Sequence, residues 1–468
     1  MKIYNTLTRR KEEFVPQKPL SAKIYACGPT VYDYIHIGNA RPLVVFDVLH
    51  RFLAWRGYDV SFIQNFTDID DKIINRAKEL GVDWSEIAEK YIAEYWTDAQ
   101  GLCLRKATQH PKATENMDGI IEIVEGLIGK GFAYETDGGV YYSPAKFAQY
   151  GKLSHQPLDE LMAGARIKTE DIKREPMDFA LWKAAKEGEP SWDSPWGKGR
   201  PGWHIECSAM VMRYHGATAD IHCGGQDLVF PHHENEVAQS EAFTGKPFAN
   251  YWMHNGYINI DNKKMSKSKG NFFTVRQVAE HFGYAPIRFF LLSSHYRSPI
   301  NYSPDLLKSA ASSLQRLQNC RDNLAFARKS AAVLENDSDL AALKKLEKYR
   351  SAFVAALNDD LNTADSLAAL FDLVRAINTR ILEGEPSKRL CKAVLKLFDE
   401  LCGVLGILQD AKDKVNQEDE KIEALIAART QARAEKNWAE ADRIRDELNA
   451  MNVVLEDTPL GVKWRREG

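Results

Sequence analysis

The sequence predicts an α/β domain built on a Rossmann-like parallel sheet and interrupted by an insertion, followed by a helical bundle and a small mixed C-terminal domain. Three observations predict it. A strand-like run at Lys23–Ala26, a Gly-Pro loop, an apolar helical face at Val44, Phe46, Leu49 and Leu53, and a second strand-like run from Val60 to Gln64 make one βαβ unit. The same alternation resumes after residue 196, with a strand at Asp220–Cys223 and a helix after Pro231. From about 305 to 410 the apolar spacing turns helical, as at Leu367, Leu370, Phe371 and Val374.

Taken in order, residues 1–104 form the first half of the α/β domain. Pro42 is expected in the first turn of its helix, where a missing N–H costs nothing. Residues 105–195 read as an insertion, with helical stretches and a hairpin around Ala133–Tyr142. Pro190–Trp203 is rich in Pro, Gly and Trp, so turns dominate it. Residues 196–252 return to the α/β domain, and 253–304 carry a lysine-rich loop. The helices of 305–410 give way to a charged stretch, Asp410–Lys421, that reads as a linker. The last domain, 411–468, holds two short helices, a strand at Val453–Leu455, a Thr458-Pro459-Leu460-Gly461 turn and a strand at Val462–Arg465.

Bulk properties narrow the function classes. At 468 residues the chain is long enough for several domains, and 44% hydrophobic residues suit a large globular core. The net charge of −3 advertises no basic field, so an RNA partner has to be met by local patches. Seven scattered cysteines, an odd number, argue against a disulfide framework and for a reducing compartment. The charged N-terminus has no apolar signal core, and no run is long enough to span a membrane. A cytoplasmic protein without a membrane partner is expected.

Two short segments carry the chemistry. His36-Ile37-Gly38-Asn39 follows the first strand and opens a helix, whose N-terminus offers unpaired N–H donors and a positive dipole end. His36 and Asn39 add side-chain donors, and Gly38 lets a nucleotide approach the backbone. Far downstream, Lys264-Met265-Ser266-Lys267-Ser268 is a cationic loop. Lys264 and Lys267 suit the binding of a leaving pyrophosphate. Together the segments fit ATP activation of a carboxylate, which needs positioning and charge neutralisation rather than a protein nucleophile. Taken singly, they read as a capped helix start and a solvated lysine loop. Their order, spacing and context resemble the class I aminoacyl-tRNA synthetases.

Four further residues form a candidate zinc set. Cys27 precedes the loop leading to His36, and Cys207 follows Trp203-His204-Ile205-Glu206. His232 and Glu236, four apart, share a helix face. His233 points about 100° away, and its own partner four residues on is Val237, which cannot ligate. Two thiolates, an imidazole and a carboxylate are a zinc-type donor set. The alternative is ordinary: small buried thiols and a solvated helix start.

Longer segments make the resemblance specific. Cys27-Gly28-Pro29-Thr30-Val31-Tyr32-Asp33, Phe66-Thr67-Asp68-Ile69-Asp70-Asp71-Lys72, Gly199-Arg200-Pro201-Gly202-Trp203-His204-Ile205-Glu206-Cys207-Ser208, Phe230-Pro231-His232-His233-Glu234-Asn235-Glu236 and Leu455-Glu456-Asp457-Thr458-Pro459 resemble the bacterial cysteinyl-tRNA synthetases. The resemblance covers essentially the whole chain. It implies one Zn2+ per chain, held by Cys27, Cys207, His232 and Glu236, that binds the substrate thiolate. It also implies Mg2+ with ATP, and ATP, L-cysteine and tRNA(Cys) as partners of a monomer. Gly28 and Thr67 match family substrate contacts, and Arg433, Trp438, Asp442 and Asp457 match positions implicated in reading the anticodon. The sequence departs from the family at Cys223, where glycine is expected; it is taken as a bystander to the metal.

The remaining candidates keep two readings. Trp203 packs either on substrate or in a core. His222, Gly225 and Asp227, at a strand end, hold the substrate or the ATP ribose, or form a turn beside a core histidine. Asp70 and Asp71 are surface charges or a helix cap. Two rival functions also stand: a related cysteine ligase of mycothiol synthesis, which lacks a comparable anticodon region, and a zinc-stabilised RNA-binding protein with a dead site. The helices after 305 disfavour the first, and the lysines at 264 and 267 disfavour the second.

Overall fold

A computed structural model describes residues 1–156, 173–260, 263–264, 272–331, 337–382, 386–408, 417–458 and 461–466. The chain divides into two compact units. The first comprises Met1–Leu314, Ala352–Ala368 and Val404–Ile407, and the second Gln315–Ser351, Ala369–Gly403 and Leu408–Gly468.

The first unit opens with a hairpin of β1 (Lys2–Asn5) and β2 (Arg10–Glu13). The predicted βαβ unit follows as β3 (Ser21–Ala26), α1 (Ile37–Trp55) and β4 (Asp59–Gln64). Helices α2 (Asp71–Leu80) and α3 (Trp84–Gly101) close the first half. The insertion supplies α4 (Met117–Gly129) and an antiparallel sheet of β5 (Ala133–Thr136), β6 (Gly139–Tyr142), β7 (Phe179–Ala184) and β8 (Gly199–Pro201). Then come α5 (Ile205–His215), β9 (Ala219–Gly225), α6 (Glu234–Thr244) and β10 (Ala249–Asn255).

The main sheet is all parallel, in the order β10-β9-β3-β4. Its central strands are buried nearly end to end, because helices cover both faces. β3 lies between β4 and β9, so chain direction switches sides there. A crevice at the carboxyl ends of the strands is the consequence. A smaller sheet carries β11 (Ile258–Ile260), paired antiparallel with β12 (Lys263–Lys264) and parallel with β13 (Ile300–Tyr302). Between β12 and β13 run α7 (Val275–Phe282) and α8 (Tyr284–Leu292).

Long helices follow: α9 (Pro304–Ser330), α10 (Asp337–Asn358), α11 (Thr363–Leu382) and α12 (Lys388–Leu405). Within the second unit their packing is tied by Arg321–Asp399 and Arg350–Glu400 pairs. The tail has its own core. Ile422 and Ile426 of α13 (Gln417–Ala434) pack with Ile444 and Leu448 of α14 (Trp438–Ala450) and with Val453. Val453 begins the hairpin β14 (Val453–Thr458) and β15 (Gly461–Arg466).

Two local expectations change. Pro42 sits in the second turn of α1, since the helix already starts at Ile37. Having no N–H, it leaves the Gly38 carbonyl without its helical donor. The charged stretch read as a linker is helical from Gln417 onward, and 409–416 lie outside the described residues. Gln, Glu, Asp and Lys give no apolar period before Ile422, yet most of them are good helix formers. Among the described residues no helix is long and apolar enough to cross a membrane.

Candidate active site

A cavity of about 570 Å³ opens at the carboxyl ends of the main sheet. Cys27 and Gly28 after β3, Gly225 ending β9 and Asn255–Gly256 ending β10 all line it. So do His36, Gly38, Asn39 and Pro42 from the start of α1. Gly28 N–H donates to Asn65 Oδ1 at 2.9 Å. A Cβ at Gly28 would stand 1.7 Å from the Asn65 carbonyl oxygen, so only glycine fits there.

His36 and Asn39 cap α1 reciprocally. Asn39 N–H donates to His36 Nδ1 at 3.1 Å, and His36 N–H donates to Asn39 Oδ1 at 3.2 Å. With Nδ1 accepting, the neutral imidazole carries its proton on Nε2 and is a donor there. The Asn39 amide keeps its own N–H2 as a donor. Asparagine thus closes the cap with its oxygen while still offering N–H groups at a helix N-terminus. The far end of the lysine loop rests on the same place: Ile37 N–H donates to Phe273 O, and Val275 N–H to Ile35 O. Lys264 lies in β12. Its side chain, and Lys267 altogether, lie outside the described residues.

Behind the cavity wall, metal-ligating atoms converge from four elements. Cys27 Sγ is 3.8 Å from Cys207 Sγ and 3.6 Å from Glu236 Oε1. His232 Nε2 is 3.7 Å from Cys207 Sγ and 2.8 Å from Glu236 Oε1. Two sulfurs at about 2.3 Å on a tetrahedral zinc stand about 3.8 Å apart, so the two thiols fit that ion. His232 is held in register from behind. Its Nδ1 lies 2.9 Å from His204 Nδ1, which turns Nε2 toward Cys207 and Glu236.

Electrostatics in this buried pocket are strongly coupled. Burial opposes charge on His232, but Glu236 beside it lifts the imidazole to about 10. Burial would raise Glu236; His222 and His232 instead hold it well below the usual carboxylate range. The Cys207 thiol is drawn below its ordinary value by the hydrogen bond from Cys27, while burial pushes Cys27 up. The pocket therefore gathers negative charge on Cys207 and Glu236 against a protonated His232.

The structure also brings to the Cys27 thiol His233, which helix geometry set aside, and His222, read as a substrate or ribose contact. His233 Nε2 stands 3.2 Å from Cys27 Sγ, and His222 Nε2 3.6 Å from it. Cys27, His222, His233 and Glu236 form a second possible donor group that shares Cys27 and Glu236 with the first. Cys27 comes from the loop after β3, so its distance to His233 is set by tertiary packing rather than by helix phase; Val229–His233 form a wide turn before α6. The Cys207–His232 group has the softer donors and borders Trp203, a cavity residue stacked 4.3 Å from His232. The other group lies deeper. Its His233 Nδ1 is engaged by His254 Nε2 at 2.8 Å, and His222 packs against Trp252. Cys223, in β9, belongs to neither group.

Trp203, Gly225 and Asp227 border the cavity, whereas His222 is fully buried beneath it. Thr67 is buried too, accepting from Asn65 Nδ2 at 3.3 Å, and is not in the wall. Asp70 caps α2 through Lys72 N–H, and Asp71 pairs with Lys183 and Arg200. In the second unit, Trp438 is 59% exposed at the start of α14. Arg433 and Asp442 are exposed, and Asp457 lies in β14. Sequence reading gave no role to Asn65, His204 and Arg41. His204 and Arg41 lie inside quoted or neighbouring motifs, which was the signal available.

Residues 13–312 match the family model described as tRNA synthetases class I (C) catalytic domain, 352–409 the DALR domain, and 416–465 the cysteinyl-tRNA ligase anticodon binding domain. Among solved structures, the fold is similar to a methionyl-tRNA synthetase of Mycobacterium tuberculosis in complex with methionyl-adenylate. The TM-score is 0.61 at 14% identity, covering 82% of this chain and 89% of the other. A ternary LeuRS–tRNA–LeuAMS complex of Agrobacterium radiobacter K84 gives 0.60 at 13%, covering 84% and 85%. The fold and the family model together define a class I aminoacyl-tRNA synthetase.

Cysteine–tRNA ligases carry the similarity further. That of Anoxybacillus flavithermus is 55% identical over 466 residues, covering 100% of this chain and 99% of the relative. That of Clostridioides difficile (strain 630) is 54% identical over 467 residues, covering all of both. The chain belongs to the cysteine–tRNA ligase family and is an enzyme of that family.

Proposed function

We propose that the protein activates L-cysteine with ATP and transfers it to the 3′-terminal ribose of tRNA(Cys), acting as a monomer in the cytoplasm. The observation that carries this reading is the juxtaposition of a capped helix N-terminus with a Cys27–Cys207–His232–Glu236 donor group around one cavity. The cysteine carboxylate attacks the α-phosphorus of ATP, cysteinyl-adenylate forms and pyrophosphate leaves with its Mg2+. His36, Asn39 and the first N–H groups of α1 hold the phosphates in line. Gly28, packed tightly on the Asn65 backbone, forms the wall the substrate meets beside Cys27, and Trp203 borders it. Gly225 and Asp227, at the end of β9, hold the ribose or the amino acid; His222 and Thr67 support that wall from beneath. The class implies that the 2′-hydroxyl of the terminal ribose then attacks the acyl carbon and releases AMP.

Zn2+ fits the first donor group, and when bound it supplies a contact that prefers a thiolate to a protonated hydroxyl. Cysteine and serine have nearly one shape, so a pocket alone separates them poorly. The proposal assigns anticodon contacts to Arg433, Trp438, Asp442 and Asp457, where an exposed indole and a guanidinium suit splayed bases.

Labelled cysteine, ATP and a tRNA(Cys) transcript test the function directly. Charging of that transcript is expected; acceptance of an amino sugar instead would favour the mycothiol-type ligase. Lys264 and Lys267 are assigned to the leaving pyrophosphate. Lys267→Ala is expected to slow adenylate formation at least ~100-fold with cysteine binding nearly intact, because the contact strengthens as pyrophosphate leaves. Single-turnover measurements showing an unchanged activation rate would remove Lys267 from the mechanism.

A further inference from the structure

Arg41 is the fifth residue of α1, fully buried, with no carboxylate partner among the described residues. Burial lowers its guanidinium to about 10, so it stays charged at neutral pH. Its Nη1 donates to the carbonyls of Gly256 and Tyr257 at 2.8 and 3.0 Å. Its Nη2 donates to those of His295 and Ser298 at 3.2 and 2.6 Å. Four carbonyls from two chain segments thus converge on one side chain. Gly256 and Tyr257 line the cavity and lead directly into β11. Ser298 leads into β13, the parallel neighbour of β11. β11 in turn pairs with β12, which carries Lys264.

We propose that Arg41 is a positioning residue for ATP. Its planar fork fixes the stem of the lysine-bearing strands, and the Gly256–Tyr257 wall, against the helix whose N-terminus receives the phosphates. The far end of the lysine loop is already tied to that helix by Ile37 N–H to Phe273 O. Arg41 holds the near end, so both halves of the nucleotide site move as one. A lysine offers a point charge on a flexible stem and cannot span two segments in this way. The adjoining backbone leaves no slack: a Cβ on Gly256 would stand 2.6 Å from the Arg297 carbonyl oxygen and 2.8 Å from that of Ser298.

This inference rests on the ATP-activating reading above. Its test uses the full chain, with ATP binding by calorimetry and initial rates of cysteine-dependent ATP–pyrophosphate exchange. Arg41→Lys is expected to raise the ATP Kd and KM about tenfold, the worth of a charged hydrogen bond, while cysteine KM and zinc content change less than twofold. Gly256→Ala, which displaces the same wall and two of its carbonyl acceptors while keeping the Arg41 side chain, is expected to show the same ATP-selective defect. Arg288→Lys is the control. Arg288 is equally buried and also bonds backbone carbonyls, at Leu102 and Leu405, and pairs besides with Asp47, all away from the cavity. It should lower thermal stability and leave the ATP constants alone. An ATP Kd unchanged in both Arg41→Lys and Gly256→Ala overturns the proposal, as does an equal loss of ATP and cysteine affinity in both. A wild-type chain that binds ATP without cysteine-dependent exchange would count against the ligase reading alone, since the ATP Kd comparison still decides the role of Arg41.

Discussion

Cys207→Ala is expected to lose bound zinc and cysteine-dependent activation together. Cys207 supplies one of two thiols 3.8 Å apart in a buried cluster, and water is a poor substitute for a thiolate on zinc. Loss of a partner behind a ligand costs about 10–100-fold in metal affinity, so loss of the ligand itself should exceed that range. His204→Ala removes only the partner behind His232 and is expected to fall within it. Cys223→Gly should keep one zinc per chain, because Cys223 belongs to neither donor group. Metal analysis decides the matter: full zinc in Cys207→Ala, or lost zinc in Cys223→Gly, would reassign the site.

Deleting residues 411–468 is expected to separate the two halves of the reaction. The tail packs its own core of Ile422, Ile426, Ile444, Leu448 and Val453, whereas the ATP and cysteine candidates all precede residue 270. Cysteine-dependent ATP–pyrophosphate exchange should stay largely intact, and aminoacylation should fall sharply through weaker tRNA binding. Trp438→Ala should act the same way by about 1–3 kcal/mol, the worth of one stacked base. A folded truncation that charges tRNA as well as the full chain would defeat this role for the tail.

What the sequence disclosed, and what it hid, follows from the range of each interaction. The βαβ unit was legible because strand and helix periods are local, and β3, α1 and β4 fall within a few residues of their expected limits. The tail was legible in the same way, through the strand-like runs that become β14 and β15; Pro459 and Leu460 of its expected turn lie outside the described residues. Helix α13 began earlier than its apolar pattern, since charged residues form helix without showing a period. Pairing His232 with Glu236 needed only one helix face. That Cys27 and Cys207 reach them, from positions 180 residues apart, came from motif resemblance rather than spacing. That His233 also reaches Cys27 is a contact across the fold, which helix phase alone does not disclose. Arg41 stands beside a quoted motif, but nothing there announced its role: its four acceptors are backbone carbonyls, which no side-chain pattern reveals.

The central claim is that one buried donor group selects a thiolate for activation beside the ATP site. Initial rates of ATP–pyrophosphate exchange with cysteine and with serine, at equal enzyme, test it most directly. Cysteine is expected to be preferred in kcat/KM by more than about a hundredfold, the most that pocket shape gives for such close analogues. Serine-dependent exchange within tenfold of the cysteine rate would contradict the account.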